Sequence, residues 1–388
     1  MKHLLAVNAG SSSLKLVLYA MSDQPQPVWS AHATGIAGSH PALQWQHKNR
    51  AADSIRLLST DTYADVLQQA LATLGEQRID AVVHRIVHGG AAHHGPERLD
   101  DAVIRELEAL VALAPLHQPV GLALVALCFQ QLPDATAYAC YDTDFHRSLP
   151  ALEYRVPLPS PWPERGVRHY GFHGISYQYL FHRLTAANPA LSDARVVLAH
   201  LGAGASLCAV QGGQSCATSM GFSALEGVPM ATRSGRLDAG IILYLLRQGL
   251  DAEALEDLLY RHSGLKALSG LSGDMQTLLA HDSDAARFAV TYFCDRVARE
   301  IAGMASAMGG MDALVFSGGI GEHAAPVRER IIKRCEWLGV QLDADANQAH
   351  ADKLSRPSSP VACYRLISDE ALSMAMQVRH LWGAKAQA

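Results

Sequence analysis

Two stretches decide the fold: LLAVNAGSSSLKLVL at 4–18 and VVLAHLGAGASLCAV at 196–210. Each runs an apolar strand into a turn of small residues and out along a second apolar strand. Setting Ser13-Leu14 on Ser206-Leu207 carries Val7 onto His200 and Gly10 onto Ala203, so the halves of the chain repeat one pattern. A second pair agrees: DAVVHRIVHGG at 80–90 and DALVFSGGIGEH at 312–323 each lead an apolar strand into a glycine loop. Between these strands, Tyr63 to Leu74, Ala102 to Leu113, Ile175 to Ala187, Ala239 to Gln248 and Ala285 to Met308 show helical apolar spacing or good helix formers. Strands and helices mix in both halves, so the expected class is α/β, built twice. The proline-rich PLPSPWP at 157–163 can continue neither a helix nor a central strand; it marks the interdomain connection or a rigid excursion just beyond it.

At 388 residues the chain exceeds what one hydrophobic core usually organises, and two domains with a cleft are expected. About half of the residues (49%) are apolar and 18% are charged, the balance of a folded protein rather than a disordered one. A net charge of −5 gives no broad basic field, so neither nucleic acid nor an anionic membrane is an expected partner, and any anion site must be local. The seven cysteines are odd in number and none has CxxC spacing, which reads as reduced, mostly buried thiols of a cytoplasmic protein. The apolar run Leu4 to Val7 is too short for a signal-peptide core, and no run approaches the ~20 apolar residues of a membrane span.

In NAGSSSLK the Gly10 backbone is free to take positive φ, while Ser11, Ser12 and Ser13 offer hydroxyls and open N–H groups to one anion, with Lys15 at the rim. This is no Walker A loop, which needs Gly directly before Lys, and a serine-rich turn by itself is usually only a turn. Repetition strengthens it: HLGAGAS and FSGGIGE supply two more glycine loops after strands. One phosphate-gripping hairpin per half is the arrangement of the actin and hexokinase class.

Ten ordered segments resemble the family of acetate and propionate kinases: NAGSSSLK (8–15), HRIVHGG (84–90), PLHQP (115–119), YDTDFH (141–146), YGFHGIS (170–176), HLGAGAS (200–206), ATRSG (231–235), SGLSGDM (269–275), GGIGE (318–322) and DEALSMA (369–375). The resemblance implies a two-domain actin/hexokinase-like fold of duplicated ribonuclease-H-like domains with an interdomain cleft. It places residues 1–146 with 371–388 in one lobe and 147–370 in the other, and implies a homodimer. The implied reaction is reversible phosphoryl transfer, ATP + acetate = ADP + acetyl phosphate, with Mg²⁺ (or Mn²⁺) and direct in-line transfer.

Such a reaction leaves negative charge spread over a loosely bonded phosphoryl group, so catalysis reduces to alignment and positive charge. Arginine suits this because its fork binds carboxylate or phosphate bidentately and stays charged. By resemblance Arg85 meets the carboxylate and Arg233 the phosphoryl group. Arg85 also sits in an otherwise apolar strand, where an unpaired charge is costly and a buried anionic partner is expected. His173 is implied to donate to the phosphoryl oxygens, and Asn8 and Glu370 to hold Mg²⁺ largely through water. Asp142 occupies the family's active-site aspartate position. A carboxylic acid is already ionised at pH 7, so no base is needed, and Asp142 is expected to orient an arginine or the magnesium shell. The pairs His84/His88 and His169/His173 have i, i+4 spacing but lie in extended or glycine-interrupted sequence, which argues against zinc.

The implied acceptor pocket is Arg85, Val87, Leu116, Phe172 and Ala224. GFSALEG at 221–227 departs from GFTPLEG, so Ala224 stands where proline is usual and a wider pocket is expected, open to acetate and propionate. The implied nucleotide residues are Lys15, His200, Leu201, Gly202, Ala203, Gly204, Asp274, Met275, Gln276, Gly319, Ile320, Gly321, Glu322 and His323. Ala203 replaces an asparagine and Gln276 an arginine, which leaves base specificity open. The small residues at 319–321 leave room for adenosine and argue against a pyrophosphate enzyme. MATRSGRLDA at 230–239 departs from MGTRSGDIDP, and Arg236 is an extra charge with no derived role. Two alternatives stay open: a propionate or longer-chain carboxylate kinase, and a nucleotide-binding actin-like module without transfer.

Overall fold

The computed structural model describes residues 2–10, 13–36 and 40–386, with side chains to 382, so Ser11 and Ser12 of the first turn lie outside the described residues. The chain divides into two compact units, Met1–Asp144 with Asp369–Ala388, and Phe145–Ser368. The stretch 157–163 lies inside the second unit, as an excursion and not the connection.

The first unit contains strands β1 (His3–Ala9), β2 (Ser13–Ala20), β3 (Gln26–Thr34), β4 (Ala42–His47), β5 (Asp53–Arg56), β6 (Ala81–Ile86), β7 (Glu97–Arg98) and β8 (Thr136–Tyr141). They form one sheet in the order β5-β4-β3-β2-β1-β6-β8-β7, in which β1, β6 and β8 are mutually parallel neighbours. Alternation along the strands sends Leu5, Val7, Leu14, Leu16 and Leu18 to a core shared with Val66, Leu67 and Ala70 of the helix Tyr63–Ala72. Each such buried side chain contributes ~1.5–3 kcal/mol of transfer free energy. Asn8 and Arg85 therefore fall on the opposite face, where the C-terminal helix Glu370–Ala386 packs on β1 and β6.

The second unit contains β9 (Arg195–Leu201), β10 (Ala205–Gln211), β11 (Gln214–Thr218), β12 (Ala313–Ser317) and β13 (Ala362–Arg365), in the order β11-β10-β9-β12-β13. Hairpin β9-β10 followed by parallel β12 and β13 repeats hairpin β1-β2 followed by parallel β6 and β8. The repeat is real, but no ungapped superposition holds on both strands. Ala9 pairs with Leu14 and Leu201 with Ala205, so 10–13 in one turn answers 202–204 in the other. Matching the turns at Gly10 and Gly202 brings His200 onto Asn8, not onto Val7.

The expected helices are present with slightly different ends: Tyr63–Ala72, Asp101–Glu108, Gly174–Ala187, Ala239–Arg247 and Asp284–Ala307. The second stops early and resumes as a 3₁₀ turn at Val111–Leu113. Side-chain caps explain several starts: Thr62 and Asp65 form a reciprocal capping box, and Asp100, Asp238 and Ser283 each accept from N–H groups of the first turn. The helix Gly174–Ala187 covers Val196, Leu198, Cys208 and Val210 through Tyr177, Leu180 and Leu184.

Candidate active site

In the first unit the parallel strands β1, β6 and β8 end side by side, which is where open α/β sheets present side chains to ligands. Val7 lies opposite His84 and Ile86 opposite Tyr141, which sets Asn8 beside Arg85 and Asp142 just past β8. Arg85 Nε donates to Asp142 Oδ1 and Oδ2 at 3.0 and 3.1 Å, and Nη2 donates to Oδ2 at 2.6 Å. Its Nη1 donates to Asn8 Oδ1 at 3.1 Å and lies 3.6 Å from Glu370 Oε2. Asn8 Nδ2 donates to that same Glu370 oxygen at 2.6 Å. The Asp142 side chain is 1% exposed and that of Arg85 16%. Burial opposes the guanidinium charge, but the carboxylates of Asp142 and Glu370 outweigh it, and the Arg85 pKa is raised. Burial also pushes the Asp142 carboxyl up, against the pull of Arg85. With three charge-assisted contacts the pair is ionised. Lys15 pairs with Asn8 across the hairpin and is exposed.

The second unit builds a different group around its glycine turn. His200 and Ser206 are cross-strand partners on the face under the helix Gly174–Ala187. His173 immediately precedes that helix at φ 60, a left-handed conformation uncommon for a residue with a Cβ. Its ring stacks on His200 with centroids 4.6 Å apart, and its Nδ1 lies 2.8 Å from Ser206 Oγ, which also meets Tyr177 Oη. Ser176 Oγ holds His200 Nδ1 at 2.9 Å. A Cβ placed on Gly204 would lie 3.6 Å from His173 Nε2 and 3.8 Å from Arg233 Nη1, so the missing side chain leaves a recess flanked by imidazole and guanidinium. Arg233 Nη1 donates to Ala224 O at 3.0 Å, and Ala231 N donates to Ala203 O at 3.1 Å, tying the arginine loop to the glycine turn. Beneath that loop Gly264 sits at φ +63, where a Cβ would lie 2.2 Å from Met230 O.

The Acetokinase family model matches residues 3–376. The chain belongs to the acetokinase family. It is 44% identical over 390 residues to an acetate kinase of Rhodopseudomonas palustris (strain TIE-1), covering 98% of this chain and 97% of that one. Among solved structures it resembles a propionate kinase from Francisella tularensis subsp. tularensis SCHU S4 at TM-score 0.90 and 30% identity, covering 97% of this chain and 99% of that one. It also resembles Porphyromonas gingivalis acetate kinase at TM-score 0.86 and 29% identity, covering 98% and 100%. The fold is the actin- and hexokinase-like α/β fold of these acetokinase-family structures.

The remaining residues singled out from acetokinase motifs fall in varied settings. Gly202 and Gly319 are neighbours, a Cβ on Gly202 coming 3.8 Å from Gly319 N, while a Cβ on Gly319 would meet nothing within 4 Å. Gly318 and Gly321 instead pack on Leu201, which is fully buried. Glu322 turns inward: its Oε1 accepts from Gly318 N at 3.0 Å, Ser317 Oγ at 3.1 Å and Ser368 N at 3.2 Å, so the carboxylate ties down its own loop. His323 is exposed and Ile320 half-buried. Asp274 caps the helix Met275–Ala280 by accepting from Thr277 N and Oγ1, both at 2.8 Å, Met275 is buried and Gln276 exposed. Val87, Leu116 and Ala224 are half-buried, and Phe172 is buried.

Sequence reasoning missed the residues that hold others in place. Gln118 brackets the exit of β6 by accepting from His88 N at 3.1 Å and donating to His88 O at 2.9 Å. Arg328, fully buried, donates to the carbonyls of Gly321 and Glu322 at 2.9 and 3.0 Å and so clamps the end of the 318–323 turn. Its position on the amphipathic helix Ala325–Cys335, amid apolar Val327, Ile331 and Ile332, was the one available signal.

Proposed function

We propose that this protein is an acetate kinase, catalysing ATP + acetate = ADP + acetyl phosphate by direct in-line transfer. The observation that carries the reading is the recess at Gly204, where a missing side chain leaves His173 Nε2 and Arg233 Nη1 facing one spot. In this reading the recess takes the transferring phosphoryl group, with Arg233 neutralising its charge and His173 donating to an oxygen. Where Tyr177 donates to Ser206 and Ser206 to His173 Nδ1, the ring proton lies on Nε2, the nitrogen facing the recess. Arg85 binds the acceptor carboxylate, and Asp142 holds the guanidinium fork in place and removes no proton. Val87 and Leu116 of the first unit, and Phe172 and Ala224 of the second, are each assigned to recognition of the acceptor's methyl group. The turns 202–204 and 319–321, with Gln276, attend the nucleotide in the second unit, and Lys15 is the nucleotide residue assigned to the first.

Among the described residues no three His, Cys, Asp or Glu side chains gather into a cage. Asn8 and Glu370 are adjacent hard-oxygen side chains beside Asp142, which fits Mg²⁺ (or Mn²⁺) holding most of its own water and the nucleotide phosphates. When bound, the ion supplies positive charge to those phosphates. Asn8 and Glu370 would hold it.

The protein acts as a cytoplasmic homodimer in this reading. The helix Ala239–Arg247 exposes Ile241, Leu243, Tyr244 and Leu246, an apolar face suited to a second copy. No helix among the described residues is long and apolar enough to cross a membrane.

A coupled assay with ATP, Mg²⁺ and a series of short-chain acids tests the proposal. Turnover is expected with acetate, and absence of turnover with every acid refutes it. The second reading, a propionate kinase, draws on Ala224 in place of proline and on the Francisella structure. One methylene is worth ~1–3 kcal/mol in discrimination, so a higher kcat/KM for propionate than for acetate would favour it.

A further inference from the structure

A cavity of about 260 Å³ in the second unit lies between the loop segments 227–229 and 234–236 and the helix Asp284–Ala307. Three arginines line it, Arg236, Arg296 and Arg299, against the single acid Glu300. The family resemblance places an acid at position 236, so this chain reverses a charge and turns a balanced lining cationic.

The local carboxylates leave these guanidiniums underused. Arg236 lies 3.8 Å from Glu226 and 3.7 Å from Glu300, both beyond hydrogen-bond distance. Arg299 meets Asp295 at 2.9 Å, but Asp295 is shared with Arg334 at 3.1 Å. Arg296 lies over the Tyr292 ring at 4.6 Å, and among the described residues no acidic partner is seen for it. Burial pushes Glu300 up, against the pull of Arg236. A monocarboxylate has oxygens for one fork, whereas a phosphoryl group has enough for several.

We propose that this cavity is a second anion site, separate from the Gly204 recess, that binds inorganic phosphate or the phosphoryl group of a small metabolite. Its walls connect it to the catalytic loop. Arg236 N donates to Gly227 O at 2.9 Å, and Gly235, at φ +71, packs against Val228 so closely that a Cβ would lie 2.7 Å from its carbonyl carbon. Arg233 is three residues away on the same loop, so an anion drawing in Arg236 stiffens the segment that presents Arg233.

Calorimetric titration of the full chain with inorganic phosphate, at fixed ionic strength, tests this. Two classes of site are expected, one lost in Arg233→Ala and the other weakened tenfold or more in Arg236→Asp. Arg299→Ala, at a side chain 69% exposed and thus no threat to folding, should weaken the second class about threefold or more. Retention of the wild-type isotherm by both Arg236→Asp and Arg299→Ala overturns the site. Displacement of phosphate from the second class by equimolar acetate overturns its phosphoryl character.

Discussion

Replacing Asp142 by asparagine separates the two roles open to that carboxylate, because it keeps the shape and removes the charge. The wild-type side chain accepts three contacts of 2.6 to 3.1 Å from Arg85 and is 1% exposed. Removing one partner of a buried ion pair costs ~3–5 kcal/mol. The amide oxygen keeps one hydrogen bond, worth about 1–1.5 kcal/mol, and Glu370 remains 3.6 Å away as a counter-charge, so a net loss of about 2–3 kcal/mol is expected. If Asp142 acts by holding the fork of Arg85, much of that loss appears in the transition state, a drop of about 30- to 150-fold in kcat/KM for acetate. The assay is kcat/KM for Asp142→Asn and wild type across pH 5 to 9, beside urea unfolding of both. A positioning role predicts parallel profiles displaced by a constant factor. Profiles that converge at low pH, where a base would be protonated in the wild type and idle, would refute it.

Gly204→Ala should fold normally, since its methyl makes only ordinary contacts at 3.6 and 3.8 Å, yet it fills the recess; a thermal midpoint within a few degrees and a fall of about a hundredfold in kcat/KM are expected. Gly264→Ala should do the reverse, because φ +63 and a 2.2 Å approach to Met230 O strain the backbone; calorimetry should show about 1–3 kcal/mol lost. Gly319→Met faces open space, so unchanged stability with a raised KM for ATP and an unchanged KM for acetate is expected; equal changes in both would refute the nucleotide assignment. Burial lowers His84 to about 3 and His88 and His146 to about 4, so all three are neutral when folded and gain protons on unfolding below about 6.5. Their contribution is complete above pH 6.5 and is lost as pH falls towards 4, at up to ~1.4 kcal/mol per histidine per pH unit. Stability that stays flat in denaturant titrations from pH 6.5 to 4.5 would contradict this.

Much of the candidate site was legible before any coordinates. An arginine inside AVVHRIV demands a buried anion, and Asp142, 1% exposed, is that anion. What escaped were contacts between residues far apart in the chain. Asn8 and Glu370 were paired by resemblance, but nothing local foretold that Gln118, 30 positions beyond His88, accepts from His88 N at 3.1 Å and donates to its carbonyl at 2.9 Å. Glu322 reads as a site carboxylate, yet it faces inward, since the buried N–H groups of Gly318 and Ser368 need an acceptor.

The sequence by itself determined the class of fold, the doubled strand-turn-strand plan and the residue types available for phosphoryl chemistry. These are local properties, set by alternation along a strand and by which residues tolerate a tight turn. Only the tertiary structure decided that Asp142 grips Arg85, that His173 takes a left-handed backbone to stack on His200, and that the turns differ by one residue. Those outcomes depend on strand register and on packing against distant elements, where burial and hydrogen-bond demand select one arrangement among many that the local pattern allows.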